Sequence, residues 1–295
     1  MIVASHSPGE TVFKAINYGI IAVLTISCFY PLWYTLCVSL SSKSAVDAGF
    51  VTIWPVKFTL ISYSQLIGDM VFLNSFWIST VRTVVGTVLT LLVLIMLAYP
   101  LSKSKNEFFL RNPLIWLLVF CMLFSGGLVP WFITMQKYRL MNKIIGLVLA
   151  GGLPVFNTVL VMNYFRSIPR DLEEAAIVDG ARSWVILWRI VVPCSVPVLA
   201  TIALFTGVGH WNDFFNGLVL SSGPQYYPLQ TYIRQMIVNI PMDNLTPEML
   251  ESLQRLSNKS LDAAKVFVAL IPMLCVYPFL QRYFITGIML GSVKE

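Results

Sequence analysis

Six long apolar runs alternate with polar segments along this chain. Each run exceeds 20 residues and carries few charges, and a helix needs about 20 apolar residues to cross a bilayer. Lipid cannot satisfy the hydrogen bonds of loops or open strands, so these runs predict helices. The predicted spans are roughly 18–40, 78–100, 114–135, 144–165, 195–220 and 263–285. The pattern predicts an all-α integral membrane protein with six transmembrane helices in a single domain, 1–295.

The composition agrees with this pattern. Hydrophobic residues make up 57% of the chain and charged residues only 12%, with a mean hydropathy of +0.76, which is too little charge to cover a soluble domain. A transmembrane β-barrel would show short alternating segments instead. The first run is longer than the core of a cleavable signal peptide, so we expect it to be retained as a span.

Several kinds of site are not expected from the residues present. The five cysteines form no Cys-x-x-Cys pair, so neither a disulfide framework nor a zinc site is predicted. The net charge of +6 comes without a basic stripe interleaved with aromatics, which argues against nucleic acid as a partner. The only histidines are His6 and His210, so no metal or nucleophile–base constellation for an intramembrane enzyme can be assembled. We expect no catalytic residues.

A polar segment, 166–194, separates the fourth run from the fifth. Pro169 suits the first turn of a helix, the acidic residues that follow it favour a helix N-terminus, and Gly180 can adopt the left-handed conformation that ends a helix. A second amphipathic stretch then carries Trp184, Leu187, Trp188 and Val191 at helical spacing. The segment therefore predicts a helix–turn–helix at the membrane surface. From the residues alone, a plain interfacial hairpin that only joins two spans is equally consistent.

The same segment resembles a known signature. It contains Glu174, Ala175 and Ala176, then Asp179, Gly180 and Ala181, and finally Ile190 and Pro193. This pattern, placed between the fourth and fifth of six spans, resembles the EAA loop of ABC-importer permeases. The later Trp211-Asn212-Asp213-Phe214 and the C-terminal Gly287–Lys294 are similar to the carbohydrate-uptake branch of that family.

The resemblance implies a coupling role for the loop. In the family the loop is cytoplasmic and docks in a cleft of the ATPase subunit, so Glu174 would be the acidic contact, Ala175 and Ala176 would fit against the ATPase, and Gly180 would set the turn. The implied partners are a second permease subunit, two ATPase subunits, an extracytoplasmic sugar-binding protein and a carbohydrate, expected to be an oligosaccharide. The implied location is a prokaryotic plasma (inner) membrane, with several passes and both termini cytoplasmic.

Energy for transport is expected to come from another polypeptide or from an ion gradient. The chain has no Gly-x-x-x-x-Gly-Lys-[Ser/Thr] loop, so it cannot bind ATP in that manner. We expect no cofactor in this chain, with ATP and Mg bound by the partner ATPase. An ion-coupled secondary transporter is the alternative, but such a carrier usually buries several ionisable groups. The spans contain few, among them Arg82, His210 and Asp213.

Residues His210, Trp211, Asn212 and Asp213 are candidates for the translocation pathway. His210 and Asp213 are three positions apart on one predicted helix face, so they pair with each other or contact substrate, and the pairing is slightly favoured. Aromatic residues here would stack on sugar rings or simply pack within the bundle.

Two peripheral segments have open interpretations. The C-terminal residues Gly291, Ser292, Val293 and Lys294 are candidates for an ATPase contact or form a frayed terminus. The insert 221–262, expected outside the cell, docks a binding protein or is a solvated loop. It contains a predicted helix over 226–239 and a second helix start at Thr246. Charge does not orient the chain, because with both termini inside the basic residues divide equally between the two sides.

Overall fold

The computed structural model describes residues 8–238 and 258–292, and this part of the chain is helical, with one isolated bridge between Ser41 and Phe58. The N-terminal helices are α1 (Pro8–Ser39), α2 (Lys43–Asp47), α3 (Ile61–Gly68) and α4 (Met70–Ser102). The central helices are α5 (Arg111–Leu123), α6 (Leu128–Lys137), α7 (Ile144–Leu149), α8 (Val155–Ser167) and α9 (Arg170–Val178). The remainder are α10 (Ser183–Ile186), α11 (Val192–Cys194), α12 (Val196–Asn212), α13 (Phe215–Leu220), α14 (Leu229–Val238) and α15 (Lys259–Ser292).

Two of these helices match the predicted spans directly. The segment Val12–Ser39 of α1 and the whole of α4 are long and apolar enough to cross a membrane. Two bent pairs, α5 with α6 and Ser183–Cys194 with α12, also pass if each pair counts as one span. The sixth predicted span, 263–285, lies within α15.

Three predicted spans are not continuous helices. The run 114–135 is broken between α5 and α6 by a bend of 113°, where Gly127 has a φ of 82°. The run 144–165 is broken between α7 and α8, where Gly152 has a φ of 62°. The run 195–220 is interrupted between α12 and α13. The length of an apolar run shows that the segment is apolar but not that it forms one straight helix. A glycine in the left-handed conformation changes the direction of the backbone within such a run.

The described residues fall into two compact units, 8–70 with 258–271 and 71–238 with 272–292. In the first unit, Cys37, Val38, Ala45 and Val51 form a buried cluster. The Ser260 hydroxyl donates to the carbonyl of Ser41 at 2.7 Å, and Lys265 pairs with Asp69 at 2.7 Å. These contacts hold the start of α15 against the segment that follows α1 and against the junction of α3 and α4.

In the second unit, the larger core joins α4, α8, α12 and the segment between α9 and α12. Its buried members include Leu94, Leu101, Val161, Leu187 and Ile202. A smaller cluster joins Ile78, Met135, Leu147 and Leu220. The long α4 contributes to both clusters and so forms the central support of this unit.

Candidate functional site

Helix α9 is closed by a glycine in the left-handed conformation. Gly180 has a φ of 79°, as the sequence predicted for a helix end. Its N–H donates to the carbonyl of Ile177, and the N–H of Ala181 donates to that of Ala176, both at 2.9 Å. This pair of hydrogen bonds is the Schellman arrangement, which satisfies carbonyls at a helix C-terminus. The turn therefore sets the angle at which the chain leaves α9.

The stretch after the turn is anchored in the core. Ser183–Cys194 is helical throughout, with a π-helical turn at Leu187–Val191 that includes Ile190. Pro193 follows at the start of α11. Leu187 and Val191 are buried, whereas Trp184 and Trp188 are 60% and 40% exposed. The predicted stripe of four residues is thus divided between core and surface.

The two alanines of α9 differ in their surroundings. Ala176 is partly buried against the larger core, as is Ala181. Ala175 is exposed together with Glu174 and Asp179. The outward surface of α9 therefore presents Glu174 and Ala175, while Ala176 joins the helix to the rest of the unit.

A salt bridge connects α9 to the end of α4. The Lys103 ammonium pairs with the Glu173 carboxylate, and the two side chains are 20% and 21% exposed. The ammonium also lies 4.5 Å from the centre of the Tyr99 ring. Sequence reasoning missed this pair, because nothing in the local pattern relates residues 70 positions apart.

Two arginines hold the C-terminal end of α4. Arg111 donates its Nε–H to the carbonyl of Leu101 at 3.2 Å, and Arg166 donates to the same carbonyl at 3.1 Å. Cations at a helix C-terminus are favoured by its unpaired carbonyls and its dipole. The start of α5 and the end of α8 are thereby tied to the place where Glu173 meets α4.

These elements surround a cavity of about 1260 Å³. Its charged lining is mainly basic: Lys103, Lys105, Arg111, Arg166, Arg170 and Arg182, with Glu107, Glu173 and Glu174. Within residues 8–238 and 258–292, no group of three or more His, Cys, Asp and Glu side chains could hold a metal. The salt bridge joins the exposed helix α9 to the end of α4. The two arginines join α5 and α8 to the same end of α4.

Asp213 has a different partner from the one expected. The predicted pairing of His210 with Asp213 is wrong: the Asp213 carboxylate pairs with Arg82, whose side chain is 1% exposed. Arg82 also donates to the backbone carbonyl of Asp213 at 3.1 Å. Helix α12 ends at Asn212, and Asp213 is extended. Asp213 therefore leaves the helix face that carries His210.

The other candidate pathway residues are distributed between core and surface. The His210 ring lies against Gly86, where an added Cβ would come within 2.5 Å of the His210 Nε2. Trp211 is 3% exposed and packs edge-on against Phe76, with ring centres 5.7 Å apart. Asn212 is exposed. In this structure the Trp211 ring is enclosed by protein and has no face open to a ligand.

The remaining candidates lie at or beyond the limits of the described residues. Gly291 and Ser292 are in the last turn of α15, and Val293 and Lys294 lie outside the described residues. In the insert, the helix predicted over 226–239 corresponds to α14, Leu229–Val238. The helix start predicted at Thr246 lies outside the described residues.

Comparisons with known proteins match most of the length of this chain. A family model described as "Binding-protein-dependent transport system inner membrane component" matches residues 76–288, which include all of 166–194 and 210–213. Protein LplC of Bacillus subtilis is 34% identical, over 96% of this chain and 95% of its own length. The polygalacturonan/rhamnogalacturonan transport system permease protein YtcP of the same organism is 32% identical, over 96% of this chain and 98% of its own length.

A solved structure also matches over most of its length. A bacterial ABC transporter involved in the import of the acidic polysaccharide alginate contains a chain that superposes with a TM-score of 0.84. The sequence identity is 31%, and the match covers 94% of this chain and 98% of that one.

Proposed function

The chain belongs to the family of inner membrane components of binding-protein-dependent transport systems, and on that premise we propose that it is a permease subunit of an ABC importer for an oligosaccharide. ATP hydrolysis by a separate ATPase would drive alternating access of its helices. The observation that carries this proposal is the exposed α9, closed at Gly180 and joined to α4 through Glu173 and Lys103.

The outward surface of α9 would receive the ATPase. Glu174 is an exposed acidic residue beside Ala175, whose side chain is small enough for close approach. Asp179, Gly180 and Ala181 form the turn, and Ile190 and Pro193 lie in the anchored stretch that follows. A push on α9 would pass to α4 through the Lys103 pair and to the core through Ala176. Packed helices move as rigid bodies, so the displacement would reach the far ends of α4 and α12.

The proposed assembly has this chain beside a second permease subunit, with two ATPase subunits and an extracytoplasmic sugar-binding protein. ATP and Mg would be bound by the ATPase subunits. The chain would form one permease domain, 1–295, with six crossings of a prokaryotic plasma membrane, some of them bent. Both termini and α9 would face the cytoplasm, with Gly291, Ser292, Val293 and Lys294 near the ATPase, and the insert 221–262 would face the binding protein.

The substrate class is proposed from the relatives. YtcP is described as transporting polygalacturonan and rhamnogalacturonan, and the matched importer takes up alginate. Fragments of acidic polysaccharides are therefore the first oligosaccharides to test, with maltodextrins as a neutral comparison because a further relative, MdxG, is a maltodextrin permease protein.

Reconstitution of the complex tests the proposal. The tagged chain is purified with its partners from its native membrane, and the complex is placed in liposomes with ATP inside and the binding protein outside. We expect ATP-dependent sugar uptake that survives an uncoupler. A chain that purifies alone and mediates uptake without ATP would overturn the proposal in favour of an ion-coupled carrier.

A further inference from the structure

A pocket of about 500 Å³ lies where two interruptions of the predicted spans come together. One wall is the break between α5 and α6, with Ser125 and Gly127, and the other is the start of α13, with Phe215 and Asn216. Irregular backbone at membrane depth is tolerated where it is buried in protein or lines a water-filled cavity. The pocket is shallow and open, and most of its lining residues are exposed.

The lining combines two aromatic side chains with uncharged polar groups. Trp131 and Phe215 supply the rings, and Ser125, Thr134 and Asn216 supply the polar side chains, with no charged residue among them. Trp131 is held in place against the smaller core cluster, while Phe215 is 43% exposed. Aromatic faces and neutral hydrogen-bonding groups match the two kinds of surface on a sugar ring, its C–H faces and its hydroxyl edge.

The Asn216 amide is oriented by the partly buried carboxylate of Asp213. Its NH₂ group donates to the Asp213 carboxylate, and its backbone N–H donates to the other carboxylate oxygen at 3.1 Å. The carboxylate accepts only, so the amide nitrogen must face it and the amide oxygen must point away. Arg82, which pairs with Asp213, therefore acts as a positioning residue for Asn216.

Hydrogen-bonding capacity remains at this pocket. Within the part of the chain that the structure describes, neither the Trp131 indole N–H nor the Asn216 amide oxygen has a hydrogen-bond partner. The Thr134 hydroxyl donates to the carbonyl of Pro130 at 2.8 Å and keeps its lone pairs. The pocket thus presents the Trp131 N–H and the Ser125 hydroxyl, which accepts from the Gly127 N–H at 3.3 Å, together with the Asn216 and Thr134 oxygens as acceptors. Sugar hydroxyls, which both donate and accept, can satisfy such a set.

We propose that this pocket is a sugar-ring subsite of the permease, with Trp131 and Phe215 stacking on a pyranose ring and Asn216, Thr134 and the Trp131 N–H bonding its hydroxyls. This inference rests on the proposed function and moves the substrate contact from 210–213 to Trp131, Thr134, Phe215 and Asn216. The absence of charge in the lining assigns to it a ring face and hydroxyls rather than a carboxylate.

The test starts by finding a transported sugar. Proteoliposomes of the whole complex are offered hydrolysates of polygalacturonate, alginate and maltodextrin, and mass spectrometry identifies what enters with ATP. If none enters, the proposed function fails and the subsite fails with it. If one enters, its equilibrium binding to the purified complex without the binding protein is measured for the wild type and the variants.

Trp131→Phe keeps a ring and removes the N–H, and it should raise the Kd about fivefold, the effect of one hydrogen bond. Trp131→Leu should raise it roughly tenfold or more through the additional loss of stacking. Thr134→Val, which changes no aromatic packing, should raise the Kd about fivefold. Trp116→Phe and Trp116→Leu, at a tryptophan that is 73% exposed on α5, should leave it unchanged.

These outcomes distinguish failure of the proposed subsite from failure of the proposed importer function. ATP-driven uptake by the wild type, together with unchanged Kd values in all three pocket variants, would overturn the subsite and leave the importer intact. The same holds if the wild-type complex imports the sugar but does not bind it. Yield and co-purified partners are compared with the Trp116 variants, and Thr134→Val decides the matter if the Trp131 variants assemble poorly.

Discussion

Arg82 and Asp213, 131 positions apart in sequence, form an ion pair that joins the middle of α4 to the interruption between α12 and α13. Arg82 is 1% exposed and Asp213 is 18% exposed. An isolated charge in such surroundings is unfavourable, so each residue requires the other. The pair lies at the point where the fifth predicted span stops being a helix.

Asp213→Asn should destabilise the protein strongly. Removing one partner leaves the Arg82 charge buried without compensation, at a loss of about 3–5 kcal/mol. The measurement is the midpoint of thermal unfolding of the purified complex, and we expect it to fall markedly. Arg82→Met combined with Asp213→Asn should recover part of the loss.

The exposed pair Glu10 and Lys14, with both side chains 47% exposed, supplies the control. Glu10→Gln should change the midpoint little, because exposed ion pairs contribute little. Equal effects of Glu10→Gln and Asp213→Asn would contradict the role assigned to Arg82.

Substitutions of the two neighbouring glutamates of α9 should impair transport in different ways. Glu174→Gln removes the exposed acidic group and should release the ATPase from the complex. Glu173→Gln breaks only the internal bond to Lys103, so the ATPase should stay bound while less sugar enters for each ATP hydrolysed. Co-purification and the ratio of uptake to hydrolysis distinguish the two. Identical phenotypes would argue against an internal link through Lys103.

Lys103→Met offers an independent check on that link. It removes the partner of Glu173 from α4 without altering α9, and it should reproduce the loss of coupling seen with Glu173→Gln. The double variant should be little worse than either single one, since both remove the same interaction. Additive losses would indicate that the two residues act separately.

Gly180→Ala should weaken coupling through backbone strain. An added Cβ would meet nothing within 4 Å, so the effect comes from the φ of 79°, which disfavours a non-glycine residue by roughly 1–2 kcal/mol. Gly209→Ala is the matched control, because its site is equally open and lies within α12. Uptake should fall for Gly180→Ala and not for Gly209→Ala. Equal uptake by the two variants would contradict a role of the Gly180 turn in coupling.

Gly86→Ala should separate α4 from α12. The new methyl group would lie 2.5 Å from the His210 Nε2, which requires the ring or a helix to move. We expect a lower unfolding midpoint and reduced uptake. His210→Ala should restore part of the midpoint in the double variant, and Gly207→Ala, whose Cβ would come no closer than 3.4 Å to Thr87, should be milder. Failure of His210→Ala to restore any stability would contradict direct packing of His210 on Gly86.

Parts of the coupling region could be predicted because their causes are local. Gly180 ends α9 in the left-handed conformation that a helix end followed by more chain favours, and the acidic first turn of α9 contains Asp171 and Glu173. The outward position of Glu174 against the partly buried Ala176 could not be predicted. It depends on which face of α9 packs on the core, and that core is assembled from distant helices.

Among the predicted spans, too, some could be predicted from the sequence and others could not. The run 78–100 carries one charge, Arg82, and it forms part of one helix, α4. The run 114–135 is equally apolar, yet it bends by 113°. Glycine permits a bend without requiring one, so Gly126 and Gly127 alone could not decide between a helix and a break.

The sequence by itself determined the membrane class, the helical nature of the chain and the position and turn of the 166–194 segment, because each depends on composition, run length or neighbouring residues. Tertiary structure decided which apolar runs are interrupted, that Arg82 rather than His210 pairs with Asp213, and that Lys103 holds Glu173. Those outcomes depend on which distant helices meet. A buried charge selects its partner by proximity in space, and proximity is a property of the whole packed unit.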